Sequence, residues 1–358
     1  MIYIHSFGPP LTPCSDLGIT VYDYVRIFLS HIIGRISVPS FYLISGYLFF
    51  YKVENFDVSI YKKKLKTRCR TILIPYLVWN TLYLVFLVLQ IIYHCWQSGA
   101  DVTNELMFFF NENGWINCLW ACNVWPFRES WFGWSCPSSG PILVPMWFLR
   151  DLMIAFILAF PMYKLIRKLK LPFLFILLFC YVSGLWPNTP GLSIDCLMFF
   201  GLGAYLSINR MNMILVFSKY SKFVLPATIV LMVLMMVFKS DFTSVGLLIY
   251  PIFLLCGVVS VFICSAWFLC KSVKFRFPSI FVKSSFFVYA SHTFLILWIC
   301  TTVMTKIIPA GNVFLLTCRY IIIPPVTAFV CLLIFMLMER FTPHLLTLLS
   351  GNRNTPKI

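Results

Sequence analysis

The sequence predicts an all-α, polytopic integral membrane protein, on three observations. Its 358 residues are 60% hydrophobic and only 11% charged, with a mean hydropathy of +0.88. A soluble globular chain carries charge on about a quarter of its residues, so a chain this apolar is built for lipid. The apolar residues come in runs near the ~20-residue length that crosses a bilayer core, and basic residues gather between the runs. Helix is the only reading of such runs, because an open strand leaves its backbone groups without partners in lipid.

The elements follow in order. MIYIHSFGPP amounts to about half a span, with no basic region and no cleavage site, so it is neither a signal peptide nor a full membrane helix. The second span covers about 24 to 51, is interrupted by Pro39 and by Ser45-Gly46, and runs straight into the basic stretch from Lys52 to Arg70. A third falls at about 71 to 94, and a long loop occupies about 96 to 143. Further apolar runs lie at about 144 to 163, 171 to 187, 191 to 208, 223 to 238, 245 to 270, 284 to 305 and 314 to 338. With the partial first helix, ten transmembrane helices are expected, forming one membrane domain over 1–340 with a cytoplasmic tail at 341–358. Pro39, Pro75, Pro145 and Pro324-Pro325 are tolerated in such spans, where neighbouring helices satisfy the carbonyl each one frees. No internal repeat is visible, which speaks against inverted-repeat transporters.

Charge supplies the orientation. The net charge of +16 would suggest nucleic acid in a soluble protein. Here the basic residues sit in short loops between spans, so the partners are membrane lipids and no nucleic acid is expected. Of the 28 Lys and Arg, 21 fall in segments assigned to the cytoplasm and four in segments assigned outside. That asymmetry predicts a multi-pass protein of the cytoplasmic (inner) membrane with both termini in the cytoplasm.

The outer loop holds Trp115, Trp120, Trp125, Trp131 and Trp134, with Asp101, Glu105, Glu112 and Glu129. Indoles stack on sugar rings, but they also settle at headgroup depth as an aromatic belt, and the belt is the larger expectation. The 14 cysteines show no metal-ligand spacing and no metal is expected. Cys118, Cys122 and Cys136 lie in the loop, where two are expected to pair if that face is oxidising, without the sequence saying which two.

Chemistry at membrane depth rests on ionisable groups, which are costly there and are retained for a reason. The candidates are His5, His31, Arg35, Arg150, Asp151, Asp195, His292 and Arg319. His31 and Arg35 are four apart on one helix face, with Ser45 farther along the same helix, so Arg35 and Ser45 are expected to line a cavity facing the first helix. His31 serves equally well as an interfacial residue. His292 falls near mid-span, either as a proton relay and substrate guide or as a structural hydrogen bond between helices.

Four stretches carry a resemblance. VPSFYLISGYLFF, KTRCRTILIPYLVWN at 66 to 80, MWFLRDL at 146 to 152 and SFFVYASH at 285 to 292 resemble, in order and over nearly the whole chain, the acyltransferase 3 family of integral membrane enzymes. The resemblance implies transfer of an acyl group, often acetyl from acetyl-CoA, to a hydroxyl of a glycan or lipid-linked sugar, with acyl-CoA as donor substrate and no permanently bound cofactor. It implies His5 as the catalytic His, a general base for the acceptor hydroxyl; His292, the other imidazole at membrane depth, is the second catalytic candidate. The family's first helix has an Arg about ten residues before that His, and no counterpart stands here. The first helix is therefore expected to be truncated, through a recorded start downstream of the true one or through loss of half a helix and with it activity. Arg68 and Arg70 are expected to receive the donor's phosphates, since guanidinium forks bind such oxygens in pairs. Trp147 and Arg150 complete the expected substrate-binding set, Arg150 serving alternatively as the partner of a buried carboxylate. The readings that stand against acyl transfer are a transporter or flippase of lipid-linked glycans and an inactive acyltransferase homologue.

Overall fold

A computed structural model describes residues 1–6, 21–122, 140–187, 189–237, 244–271, 278–309 and 311–351, with the backbone alone for 244–248 and 271. Every regular element among them is helical. We number these α1 Ile2–His5, α2 Val21–Phe50, α3 Val58–Ser98, α4 Val102–Asn113, α5 Trp115–Trp120 and α6 Val144–Ile157 with Ala159–Leu169. There follow α7 Leu171–Ser183, α8 Ile194–Ile208, α9 Met213–Lys219 with Ser221–Val237, α10 Ser244–Lys271, α11 Ser279–Ile307, α12 Val313–Phe341 and α13 Pro343–Ser350.

The nine full apolar runs each become a helix or a bent helix pair, at the places expected. Their lengths change the count of crossings. Among the described residues α2, α3, α10, α11 and α12 are long and apolar enough to span a membrane, and α6 and α9, bent by 59° and 76°, raise the number to seven. At 13 and 15 residues, α7 and α8 reach only ~20 Å at ~1.5 Å per residue, short of a ~30 Å core. The chain is thus a polytopic, all-helical membrane protein, and among the described residues five to seven helices, rather than the ten expected, are long and apolar enough to cross. The third span also begins earlier than expected, because the basic stretch after Asp57 is helix continuous with it.

Starts are written locally. Asp57, Asp101, Ser193 and Asn312 cap α3, α4, α8 and α12, each accepting backbone N–H groups of the first turn on its side chain. The outward faces carry large exposed apolar side chains such as Phe223, Phe314 and Val282, which water would punish and lipid accepts.

The core centres on the crossing of α2 and α8, with Tyr42, Leu43, Phe49, Phe156, Phe199 and Phe200 fully buried around it. A Cβ on Gly46 would fall on the Phe200 carbonyl, and one on Gly203 on the Leu43 carbonyl. The two backbones therefore meet directly, as small residues permit in membranes. Gly46, read in the sequence as an interruption, is a contact point.

Among the described residues three spans contain a π-helical turn: Ile27–Ile33 in α2, Cys69–Leu73 in α3 and His292–Ile296 in α11. In the last, Phe294 and Leu295 leave helical geometry and Leu295 has φ +67°. Such turns are rare and gather at functional sites. Within the segment expected as the tail, 341–358, lies the helix α13, which buries Leu346, Leu349 and Ser350. Residues 352–358, with Arg353 and Lys357, lie outside the described residues, as do Trp125, Arg128, Glu129, Trp131, Trp134 and Cys136 of the outer loop.

Candidate functional site

α1 is short, yet it is firmly docked. Tyr3 Oη donates to the Ile321 carbonyl at 2.9 Å, and Ser30 Oγ donates to the Tyr3 carbonyl while touching Tyr320 Oη. The Ile4 side chain fills the space that a Cβ on Gly34 would need. This docking carries His5 to His292: their ring centroids are 5.3 Å apart, with planes at 54°. Two imidazoles 287 positions apart in sequence thus face each other where α1 meets the broken part of α11.

The His292 ring is fully buried. Its Nδ1 stands 2.7 Å from the Tyr289 carbonyl and 3.1 Å from that of Val288. Carbonyls only accept, so Nδ1 carries the proton and Nε2 is left as an acceptor. Nε2 is buried with no partner among the described residues. A buried acceptor without a donor costs about 1–3 kcal/mol, which marks it as a place for an incoming group. Arg35, half-buried, lies close enough to His5 for its charge to act on that ring.

His292 also borders a cavity of about 360 Å³. One wall is Phe41, Ser45 and Leu48 of α2, a stripe at helical spacing; a second is Phe148, Leu149, Leu152 and Phe156 of α6; the third is Ser285 to His292 of α11; Met1 and Ile2 close one side. Aromatic contacts define its ends. At one end Phe148 lies 6.0 Å from Phe41 and 5.9 Å from Tyr289, beside His292. At the other the Arg68 guanidinium stands 5.1 Å from the Phe156 ring. Seven residues of helix separate Ser285 from His292, or ~10 Å at ~1.5 Å per residue. The site is a slot walled mainly by apolar side chains, with the Arg68 cation at one end and the His292 imidazole at the other.

The expected substrate residues separate on this geometry. Ser45 and Arg68 line the cavity. Arg70 does not, and its side chain is exposed. Trp147 is half-buried and outside the lining, although its neighbours Phe148 and Leu149 are part of it. Arg150 is buried elsewhere: Nε and Nη2 donate to Asp151 Oδ1 at 3.0 and 2.9 Å, and Nη1 donates to the Trp120 carbonyl at 2.6 Å. That arrangement matches the reading of Arg150 as a carboxylate's partner; it ties α5 to α6. Arg319 donates to the Ile308 carbonyl at 3.4 Å, at the end of α11. Cys118 is buried, and Cys122 donates its thiol to Asn113 Oδ1 at 2.9 Å. Among the described residues no three His, Cys, Asp or Glu converge as metal ligands would.

Sequence reasoning missed Tyr289, Phe148 and Phe156. Tyr289 was within reach, since it stands three residues before His292 and so shares its helix face. Its hydroxyl donates to the Pro145 carbonyl and holds α11 to α6 at the imidazole end.

Comparison with known proteins adds a family. The acyltransferase 3 model, described as an acyltransferase domain, matches residues 1–338. Among curated proteins, the succinoglycan biosynthesis protein ExoH of Rhizobium meliloti (strain 1021) is 27% identical over 221 residues, 59% of this chain. The match spans about half the length of that relative, 51%. No solved structure matches.

Proposed function

We propose, from the premise that this chain belongs to the acyltransferase 3 family of acyltransferases, that it moves an acyl group, acetyl in the simplest case, from acyl-coenzyme A to a hydroxyl of a glycan. The observation that carries the reading is the single cavity that joins Arg68 to the unpartnered Nε2 of His292, with His5 beyond it. The relative named for succinoglycan biosynthesis supports a polysaccharide as acceptor class.

In this reading the donor enters at the Arg68 end, from the cytoplasm. Its phosphates stay with the guanidinium and its thioester arm lies along the apolar walls. The acceptor reaches the imidazole pair from the opposite face. His5 takes the proton of the hydroxyl as its oxygen attacks the thioester carbonyl. The tetrahedral intermediate then collapses, the C–S bond breaks, and the proton passes from His5 to the coenzyme A thiolate, leaving an ester and a free thiol. His292 acts through His5. With Nδ1–H tied to a carbonyl, Nε2 of His292 accepts the second ring N–H of His5 in the reacting complex and so orients the base. Arg35 supplies positive charge beside the reacting carbonyl oxygen. Arg150 takes no part in the chemistry.

The test is transfer itself: purified protein in lipid nanodiscs, labelled acetyl-CoA and a polysaccharide acceptor, with ester formation followed by mass spectrometry. Label on a glycan hydroxyl supports the reading. Movement of unmodified glycan across vesicles without acylation would establish a transporter, and neither event would leave an inactive homologue. Orientation is tested separately by cysteine labelling in otherwise Cys-free protein. An impermeant outside reagent is expected to label position 130 and spare position 60; the reverse would overturn the placement of the donor end in the cytoplasm.

A further inference from the structure

Two of the three π-helical turns among the described residues adjoin the polar ends of the cavity, and a chain of contacts runs from each to the same short helix. α13 follows α12 after a break at Thr342 and packs on α3, α11 and α12. The Leu349 carbonyl of α13 accepts from Trp79 Nε1 at 3.0 Å. The buried Trp79 ring meets Phe287 at 5.7 Å and Phe294 at 5.9 Å, both edge-on. Phe294 belongs to the turn His292–Ile296. Immediately after α13, Gly351 sits at φ +67° against the Thr71 carbonyl and Pro75, with no room for a Cβ. Thr71 belongs to the turn Cys69–Leu73, which follows Arg68 directly and contributes Ile72 to the cavity wall.

A π-helical turn gives up the regular i→i−4 register, so contacts from outside decide where its side chains point. At both ends of this cavity one such contact leads to α13, beside the packing of α12, Tyr83 and Phe86 on the turn His292–Ile296 and of α6 on the turn Cys69–Leu73. We propose that α13 is a brace that positions Arg68 and His292 together, with Trp79, Leu349 and Gly351 as positioning residues. The consequence for catalysis rests on reading the cavity as the acyl-coenzyme A site; the mechanical coupling does not. The brace acts through two separable contacts. Gly351 bears on the turn beside Arg68, and Trp79 bears on the turn that begins with His292.

The experiment uses the full chain in nanodiscs and three measurements: amide hydrogen exchange by segment, binding of coenzyme A itself, and steady-state constants with acetyl-CoA. Gly351→Val is expected to speed exchange at 69–73, weaken coenzyme A binding, and raise the donor KM ~3- to 10-fold with kcat nearly held. Trp79→Phe keeps a ring but loses the N–H donated to Leu349. It is expected to speed exchange at 292–296 and lower kcat by a similar ~3- to 10-fold with donor KM nearly held. Exchange across α8, which has no part in the brace, stays as in wild type. Leu348→Ser, on the exposed side of α13, changes none of these. Should Val at 351 prevent insertion, Gly351→Ala makes a smaller intrusion at the same contact. Unchanged exchange at both turns in both variants overturns the brace, and so does a uniform loss of folded protein with wild-type constants per folded molecule. If wild type binds coenzyme A but acylates no glycan, the reading of function fails while exchange at the two turns still decides the brace.

Discussion

α2 has two faces with opposite demands. Leu43 and Gly46 press on α8 until backbone meets backbone, while Phe41, Ser45 and Leu48 look into an open slot. The first contact is regular helix on regular helix. The second is bordered by spans that leave regularity at Cys69–Leu73 and His292–Ile296. Close glycine contacts make a tightly packed frame, and the π-helical turns set against it follow Arg68 and begin at His292, which border the space it leaves.

The comparison is tested hardest at the imidazoles. His5→Ala is expected to leave protein abundance near wild type and to lower turnover by roughly 10²- to 10⁴-fold, the range for a positioned proton acceptor. His292→Ala should fall in the same range. Because the two act as a unit, the double variant should be little worse than either single one. Purified variants assayed with labelled acetyl-CoA check this; full transfer by His5→Ala would remove it from the mechanism and make His292 the base.

The frame should fail differently. Gly46→Val drives a side chain into the Phe200 carbonyl, and overpacking of a tight contact costs about 1–3 kcal/mol or more. The expected result is loss of folded protein, read by size-exclusion yield and thermal denaturation, with the surviving fraction keeping wild-type KM. A selective kinetic defect at full abundance would mean that the α2–α8 contact belongs to the site.

Most of the frame was legible because lipid leaves so few solutions. Apolar runs near span length become helices, whereas the capping side chains Asp57, Ser193 and Asn312 that fix their starts were not singled out. Less was legible wherever the answer depended on which residues meet. Both imidazoles stood out as ionisable groups at membrane depth, yet nothing in a separation of 287 positions says that their rings lie 5.3 Å apart. Arg150 and Asp151 are adjacent in sequence, and their pairing was open to view; the Trp120 carbonyl that completes the arrangement was not. Gly46 read as a weak point because a sequence shows its flexibility and hides the helix that needs its missing side chain.

Arg68 and Arg70 differ in direction. Two residues apart on a helix they point to different faces, and only Arg68 lines the cavity. Arg68→Ala should raise the donor KM by about tenfold, as loss of one charge-assisted contact of about 1.5–3 kcal/mol allows after partial replacement by water. Arg70→Ala should change it less than about twofold and act mainly on orientation in the membrane. The acceptor KM should stay put in both. Equal effects from the two arginines would place the donor's phosphates outside the cavity mouth.

The smallest effect expected concerns the irregular side itself, at Leu295. A left-handed conformation costs a non-glycine residue about 1–2 kcal/mol, and Leu295 adopts one at φ +67° two residues after the peptide that links His292 to Thr293. Leu295→Gly removes that strain, but it also gives up half-buried apolar surface and adds about 0.5–1 kcal/mol of chain entropy to the unfolded state. The gains and losses nearly cancel, so its thermal midpoint should lie close to wild type. Leu295→Val keeps an apolar side chain of similar kind and adds a β-branch, which tolerates positive φ worst. It should be the less stable of the two, although it is the more conservative change by composition. Thermal unfolding of both variants in one detergent checks the order. If Val proves as stable as Gly, the break in α11 can be relaxed without loss, and the frame does not hold His292 by strain at this residue.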